Sequence, residues 1–447
     1  MIEKALVKRT SKSYWAWIVF LLAVIAVGFA AYIYQMTKGF GVTGMSRDIS
    51  WGLYIGHLTF FVGVAAGGVM IVLPYYLHNV KEFGRITVVG EFLAIPAVIM
   101  ALLFVVVDIG SPMKIFNVYL NATPHSMLFW DSVVLPCYLL LNLVVGYNVL
   151  QAENKGVHYG KIVKTLAVIS VPFAFSIHIV TAFLYSGLPS RHYFLTAMLP
   201  AKFLASAFAT GPSLIILLCF LLKKLTGFDA GKKAIDKLAT IIAYAYTVTI
   251  FMIGCEFFTA FYSNVPSHKT ALQYLFFGLH GHNQFVPMMM VFAVLAVISL
   301  VILIPRQTRT NYKLLSVACA AVFLSMYIEK GLTFIIGGLS ETPFGTIAPY
   351  VPTVPEILVI IGIFAIGFLI ASILFKLIVV VKKDMDLDAF PQEDRAGLPG
   401  RYVAEYNAAN GIVVEPKVVV AEADAEEASE EATEEASEEK AEEAKTE

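Results

Sequence analysis

The chain has 447 residues, 58% of them hydrophobic and 13% aromatic, and its mean hydropathy of +0.75 excludes an ordinary soluble domain, in which about 45–50% of residues are apolar. The formal charge of −1 hides two opposed parts: Ala421 to Glu447 holds 12 Glu and one Asp against two Lys, a net of −11, so the remainder carries +10. The four cysteines, Cys137, Cys219, Cys255 and Cys319, stand singly in apolar runs without a CxxC pair, so neither a disulfide framework nor an iron–sulfur cluster is signalled.

Apolar runs long enough to span a bilayer, about 20 residues as a helix, recur ten times. They are Tyr14 to Tyr34, Trp51 to Leu77, Val88 to Val107, Met127 to Leu150, Val163 to Tyr185, Phe203 to Leu222, Leu238 to Phe261, Phe285 to Ile304, Leu314 to Phe334 and Ile357 to Val381. The expected fold is therefore an all-α integral membrane protein of about ten transmembrane helices. The second run, WGLYIGHLTFFVGVAAGGVMIVLPYYL, combines a stripe of small residues at Gly63, Ala66, Gly67 and Gly68 with polar handles at Trp51, Tyr54, His57 and Thr59. Small residues one turn apart let a neighbouring backbone approach closely, so this span is expected inside the bundle. Residues 1–13 and 382–447 flank the membrane domain of residues 14–381. The Ala/Glu/Ser/Thr repeat beyond Ala421 has almost nothing to bury and is expected to be disordered.

Lys and Arg concentrate in cytoplasmic connections of membrane proteins. The N-terminus, the second, fourth, sixth and eighth connections and the exit from the last run hold 19 of them, against seven on the other side: Lys38, Arg47, Lys114, Arg191, Lys202, Lys269 and Lys330. Both termini are thus expected in the cytoplasm. The long connections rich in Pro, Gly and aromatics fall on the opposite, outer face.

Ionisable groups within spans are expensive and serve as functional-site candidates. Most fall toward the expected outer face: His57, Asp108, Asp131, His178, Glu256 with Tyr262, Glu329 and Glu356. Glu91 alone sits in a cytoplasmic turn, while Lys376 can snorkel to the interface. Span-end acids such as Asp108, Asp131 and Glu329 can equally serve as caps or loop contacts. A bis-histidine haem would have only His57 and His178 to use, and a dihaem cytochrome b would need four such ligands. No CxxCH, Gly-rich nucleotide loop or HExxH occurs, so no haem or cluster is expected in this chain.

Taken in order, WGLY with the Gly63–Gly68 stripe, DIGSP from Asp108, SMLFWD from Ser126, PFAFSIH from Pro172, FLASAFATG from Phe203, EFFTAFY from Glu256, IEKG from Ile328 and YVPTVPE from Tyr350 make the chain resemble the NrfD/PsrC family. These are the membrane subunits of polysulfide-reductase-like complexes, and the resemblance is closest to the DsrP-like branch. It covers roughly Asp48 to Val381; Ser111 stands where family members often carry Arg. The resemblance implies two four-helix bundles, residues 51–185 and 203–334, with an extra helix at each end. Ala207 and Gly211 open the second set much as Gly63 and Gly67 open the first. It also implies a cofactor-free, quinone-reactive anchor in the cell inner membrane that exchanges electrons with an extracytoplasmic ferredoxin-like iron–sulfur subunit. A multihaem cytochrome c and cytoplasmic redox subunits are further partners it suggests; no nucleic acid is expected.

On this reading menaquinone, or another quinone, is bound as substrate by Trp51, Tyr54, His57, Thr59 and Tyr262. His178, Glu256 and Asp108 carry the chemistry, and Glu91, Asp131 and Glu329 the proton path. Quinone chemistry needs donors at the carbonyls and a proton relay in a dry pocket. Two other classes compete: a secondary transporter or proton-translocating subunit without quinone chemistry, which would want midplane charges and broken helices, and a scaffold that only anchors partners. Bound quinone on purification, or substrate flux in liposomes, separates them.

Overall fold

The computed structural model describes residues 11–78, 80–155, 160–342 and 346–383; the first ten residues and the acidic tail lie outside them. Ten helices long and apolar enough to cross a membrane follow one another among the described residues. We number them α1 (Lys12–Lys38), α2 (Leu53–His78), α3 (Thr87–Asp108), α4 (Met127–Lys155), α5 (Lys161–Ser186), α6 (Leu199–Thr226), α7 (Lys232–Tyr262), α8 (Val286–Leu303), α9 (Tyr312–Ser340) and α10 (Val354–Lys383). The expected spans coincide with them to within about four residues at nearly every end. The largest difference, six residues, falls at the start of α7 and the end of α9. The chain is an all-α integral membrane protein.

Helices α2 to α5 pack in a closed set, α2 on α3, α3 on α4, α4 on α5, and α5 back on α2; α6 to α9 close a second set in the same manner. α1 and α10 pair with each other, and α10 also covers α3. The interior position of α2 follows from its composition: 94% of its most apolar window is buried, against 17% in α1. A helix apolar on every side has to be surrounded by protein or lipid, and the small residues of α2 decide for protein.

The glycine stripes make this closure possible. A Cβ added to Gly67 would sit 2.3 Å from the Cα of Gly211 and 3.0 Å from the Ala207 carbonyl on α6. The stripes noted as parallel features of the two halves are therefore the two sides of one contact, where backbones touch and the halves join. Gly56 meets the Gly331 carbonyl of α9 in the same way, and Gly28 of α1 faces Gly362 of α10. Gly63 does something else: its hypothetical Cβ would lie 3.7 Å from His178 Nε2, an ordinary contact.

Two helices depart from regular geometry. α2 is interrupted between Gly67 and Val69. α9 contains a π-helical segment, Tyr327–Phe334, a form that often marks functional positions. Long connections, residues 109–126, 187–198, 263–285 and the described parts of the last, 341–342 and 346–353, gather where α2, α4, α6, α8 and α10 begin. The one between α7 and α8 carries a further helix, Pro266–Phe276.

Lys202 and Lys330 depart from their expected place in outer connections. Lys202 lies in the first turn of α6 and Lys330 in the π segment, 1% and 2% exposed. Lys202 falls one residue ahead of the expected sixth run, so hydropathy assigns it to a loop, whereas Lys330 already falls inside the expected ninth run, Leu314 to Phe334. Lys376 extends along α10 until its ammonium lies 4.4 Å from the centre of the Tyr14 ring.

Candidate functional site

Near the loop-rich end, the sequence candidates separate into three neighbouring groups. In the first, His57 sits one turn inside α2 and is 1% exposed. Its Nδ1 lies 2.6 Å from the Leu53 carbonyl and its Nε2 2.7 Å from the Tyr327 hydroxyl. The first contact fixes the tautomer, because a carbonyl only accepts; Nδ1 carries the hydrogen and Nε2 takes the one from Tyr327. Phe104 stacks on the imidazole at 5.0 Å and Phe364 meets it edge-on, so the basic nitrogen faces a dry aromatic box.

One turn beyond Phe104 on α3 is Asp108, and one turn before His57 on α2 is Tyr54, so the two lie on a shared level. Tyr54 donates to Gln35 Oε1 at 2.6 Å, and Gln35 donates to the Val107 carbonyl at 2.9 Å. Asp108 Oδ1 is buried without a hydrogen-bond partner. Beside it, Glu356 accepts from the Tyr350 hydroxyl and from the Gly44 amide, and Tyr350 in turn accepts from the Leu53 amide. This strap ties the start of α10 to the start of α2. The Tyr350 phenol lies outside the spans, and its pKa is raised by burial and by the neighbouring Glu356 carboxylate, so it stays a donor.

The second group lies where α2, α4 and α5 meet. Thr59 Oγ1 and the Tyr185 hydroxyl are 2.5 Å apart, and Trp51 lies edge-on to the Tyr185 ring. Thr181 donates to Asp131 Oδ1 at 2.8 Å. His178, one turn away on α5, is fully buried with no well-formed hydrogen bond at either ring nitrogen, the Phe203 carbonyl lying nearby. Imidazoles in that condition are uncommon, because an unmade hydrogen bond in the interior costs about 1–3 kcal/mol.

The third group belongs to the second helical set. Lys202 Nζ contacts Glu256 at 2.9 Å and Glu329 at 3.5 Å. Lys330 donates to the Phe203 carbonyl at 3.2 Å and lies 4.0 Å over the Phe203 ring. Phe203 and Phe334 both lie against Tyr185, so an aromatic wall separates this ion cluster from the second group. Glu256 is thus a partner of Lys202 and stands apart from His57. Tyr262 ends α7 79% exposed and stacks on Phe258, outside all three groups. Glu91, 3% exposed, lies about 25 Å along α3 from Asp108 and accepts from the Tyr76 hydroxyl at 3.3 Å. No group of three or more His, Cys, Asp or Glu able to hold a metal ion occurs among the described residues.

Residues 41–340 match the model of a family described as polysulphide reductase, NrfD. The chain belongs to the NrfD family. It is 23% identical to the Hdr-like menaquinol oxidoreductase integral membrane subunit of Archaeoglobus fulgidus, over 85% of this chain and 97% of that one. It is 24% identical to a selenate reductase subunit of Mesobacillus selenatarsenatis, over 58% and 68%. It is 22% identical to the menaquinone reductase integral membrane subunit of Nitratidesulfovibrio vulgaris, over 83% and 93%.

Within this NrfD chain, Gln35, Tyr327, Lys202 and Lys330 are the site residues that sequence reasoning passed over. Gln35 falls one residue past the first expected run, where a polar side chain reads as interfacial, and Tyr327 looks like an ordinary span residue. The Glu329-Lys330 pair inside IEKG was the available signal for the lysines, since adjacent opposite charges in an apolar run rarely face lipid.

Proposed function

We propose that this protein is the quinone-reactive membrane subunit of a redox complex, with the reacting ring held at the loop-rich end between Asp108 and the His57–Tyr327 pair. The observation that carries the reading is the buried Asp108 oxygen without a partner, one helical turn from the Phe104 ring that stacks on the His57 imidazole. A quinol hydroxyl is the donor that such an oxygen lacks, and Nε2 of His57 can accept from the second hydroxyl by exchanging its Tyr327 contact. Oxidation of one quinol releases two electrons and two protons; Asp108 and His57 are each placed to take one proton. The flat aromatic surfaces of Phe104 and Phe364 favour a ring and exclude water. The reverse direction uses the same groups.

Family membership and the names of the relatives support a quinone as the substrate, menaquinone being the one they name. The elaborated connections near the site fit a partner that carries the electrons onward. We assign this face to the outside, with both termini cytoplasmic, on the distribution of Lys and Arg, which grows more one-sided once buried Lys202 and Lys330 are set aside. An extracytoplasmic ferredoxin-like iron–sulfur subunit of a sulfur-metabolism complex is the partner this arrangement suits best, in an inner membrane.

A second reading, proton translocation, is favoured by the buried ions Lys202, Glu256, Glu329 and Lys330, which a quinone site alone does not need. In it, Asp131 and Glu329 would belong to the path and Glu91 to its inner mouth.

The test replaces Asp108 by Asn in the purified complex, with a menaquinol analogue as donor and bound quinone measured after extraction. A fall of about a hundredfold in turnover with the complex intact supports the site. Unchanged turnover removes Asp108 from it.

A further inference from the structure

Far from His57, where α7 starts and α8 ends, the helices leave a cleft of about 570 Å³, within the range of small-ligand sites. Its charged residues cancel only in part. Lys237 is matched to Glu82 at 2.8 Å. Arg309 turns one guanidinium nitrogen onto the Leu303 and Ile304 carbonyls, and the Arg306 side chain is exposed with no hydrogen-bond or ion-pair partner among the described residues. Across the cleft on α7, Asp236 has a buried carboxylate oxygen with no hydrogen-bond partner, and no ion pair within 4.0 Å joins it to either arginine. The cleft thus offers two guanidinium groups for an anion and one carboxylate for a cation, held apart.

Pro74, Phe83 and Ile241 form its apolar wall. On the neighbouring outer surface Ile304 and Tyr244 are 59% and 72% exposed, which places the cleft at the margin of the lipid-facing belt. Basic pockets between transmembrane helices at this level suit phospholipid headgroups, and arginine suits phosphate by its planar fork. An unpaired buried carboxylate would oppose a purely anionic headgroup, whereas it complements an ammonium.

We propose that this cleft binds the headgroup of a membrane glycerophospholipid bearing a phosphodiester and a primary ammonium, of the ethanolamine type. Arg306 and the free edge of Arg309 hold the phosphate, Asp236 accepts from the ammonium, and the acyl chains leave past Ile304 and Tyr244. A bound lipid here would brace α7 against the α8–α9 connection and the α2–α3 connection, three segments that direct contacts join sparsely.

The experiment uses the full chain with its partner subunits, delipidated in mild detergent and offered equal amounts of phosphatidylethanolamine, phosphatidylglycerol and phosphatidylcholine of identical acyl chains. Retained lipid is counted by native mass spectrometry. The expected result is one phosphatidylethanolamine held about fivefold or more in preference to either competitor. Asp236→Asn should bring ethanolamine and choline lipids to parity, and Arg306→Gln, a change at an exposed side chain, should lower retention of all three. Equal retention of the three lipids by the unaltered protein, or preference for phosphatidylglycerol, overturns the proposal. Displacement of the lipid by millimolar inorganic phosphate or phosphoethanolamine overturns it in favour of a soluble anion.

Discussion

His57 Nε2 lies 2.7 Å from the hydroxyl of Tyr327, across 270 residues of chain and between the two helical sets. That contact gives the imidazole its orientation and links the π segment of α9 to α2. Tyr327→Phe keeps the ring and removes the hydroxyl, so packing should survive. Turnover with a quinol analogue should fall at least about tenfold while the complex still assembles. An unchanged rate would mean that the hydroxyl only fills space.

Substituting His178 with Ala separates another pair of roles. Its ring nitrogens make no well-formed hydrogen bond, so loss of the side chain removes little polar bonding from the fold, and Gly63 lies opposite it. Quinol turnover should suffer more than assembly. Normal turnover in a complex that falls apart would make His178 a packing residue.

The Lys202 cluster lends itself to a stability measurement. Lys202→Met leaves Glu256 and Glu329 facing one another in the interior, and breaking a buried ion pair on one side costs about 3–5 kcal/mol. Thermal unfolding of the purified complex should occur at markedly lower temperature. The triple change Lys202→Met, Glu256→Gln, Glu329→Gln should recover most of the loss. If the single change leaves the transition where it was, the cluster is solvated more than its 2%, 16% and 7% side-chain exposures imply.

Glycine substitutions on α2 should diverge although they are one turn apart. Gly67→Ala drives a methyl to 2.3 Å from the Gly211 backbone, and such overpacking costs about 1–3 kcal/mol. Gly63→Ala meets His178 at 3.7 Å and should be tolerated, with a helix-propensity gain of up to about 1 kcal/mol. Yield of folded protein and melting temperature check both. Equal behaviour of the two variants would contradict the close approach at Gly67.

Glu91 decides between the two proton arrangements. If quinol protons leave at the loop-rich face, Glu91 is an acid held near the positive start of α3, and Glu91→Gln should leave electron transfer and any internal pH change as they are. Vesicles carrying the complex and driven by a quinol analogue provide the measurement. Loss of the pH signal with electron transfer intact would favour a path across the protein.

Sequence alone determined the ten spans, the interior place of α2 and the candidacy of its polar first turns. Each follows from a local rule: lipid satisfies no backbone polar group, so every crossing must be a continuous apolar run, and a stripe of small residues within one run marks a close neighbour. Periodicity could not say which neighbour, and only packing made the Gly67 stripe meet Gly211. Nor could it pair charges. Lys202, Glu256 and Glu329 lie on three helices, and a lysine four residues into a helix reads as a loop cation until the fold surrounds it. The same limit divided the outer acids: by depth they formed one cluster, whereas in the fold Glu256 and Glu329 pair with Lys202, and Tyr185, Phe203 and Phe334 stand between that cluster and the Asp131–Thr181 group. Depth is set by position along one helix, but contact is set by the rotation of each helix about its axis. That rotation is fixed only when all the neighbouring faces pack at once.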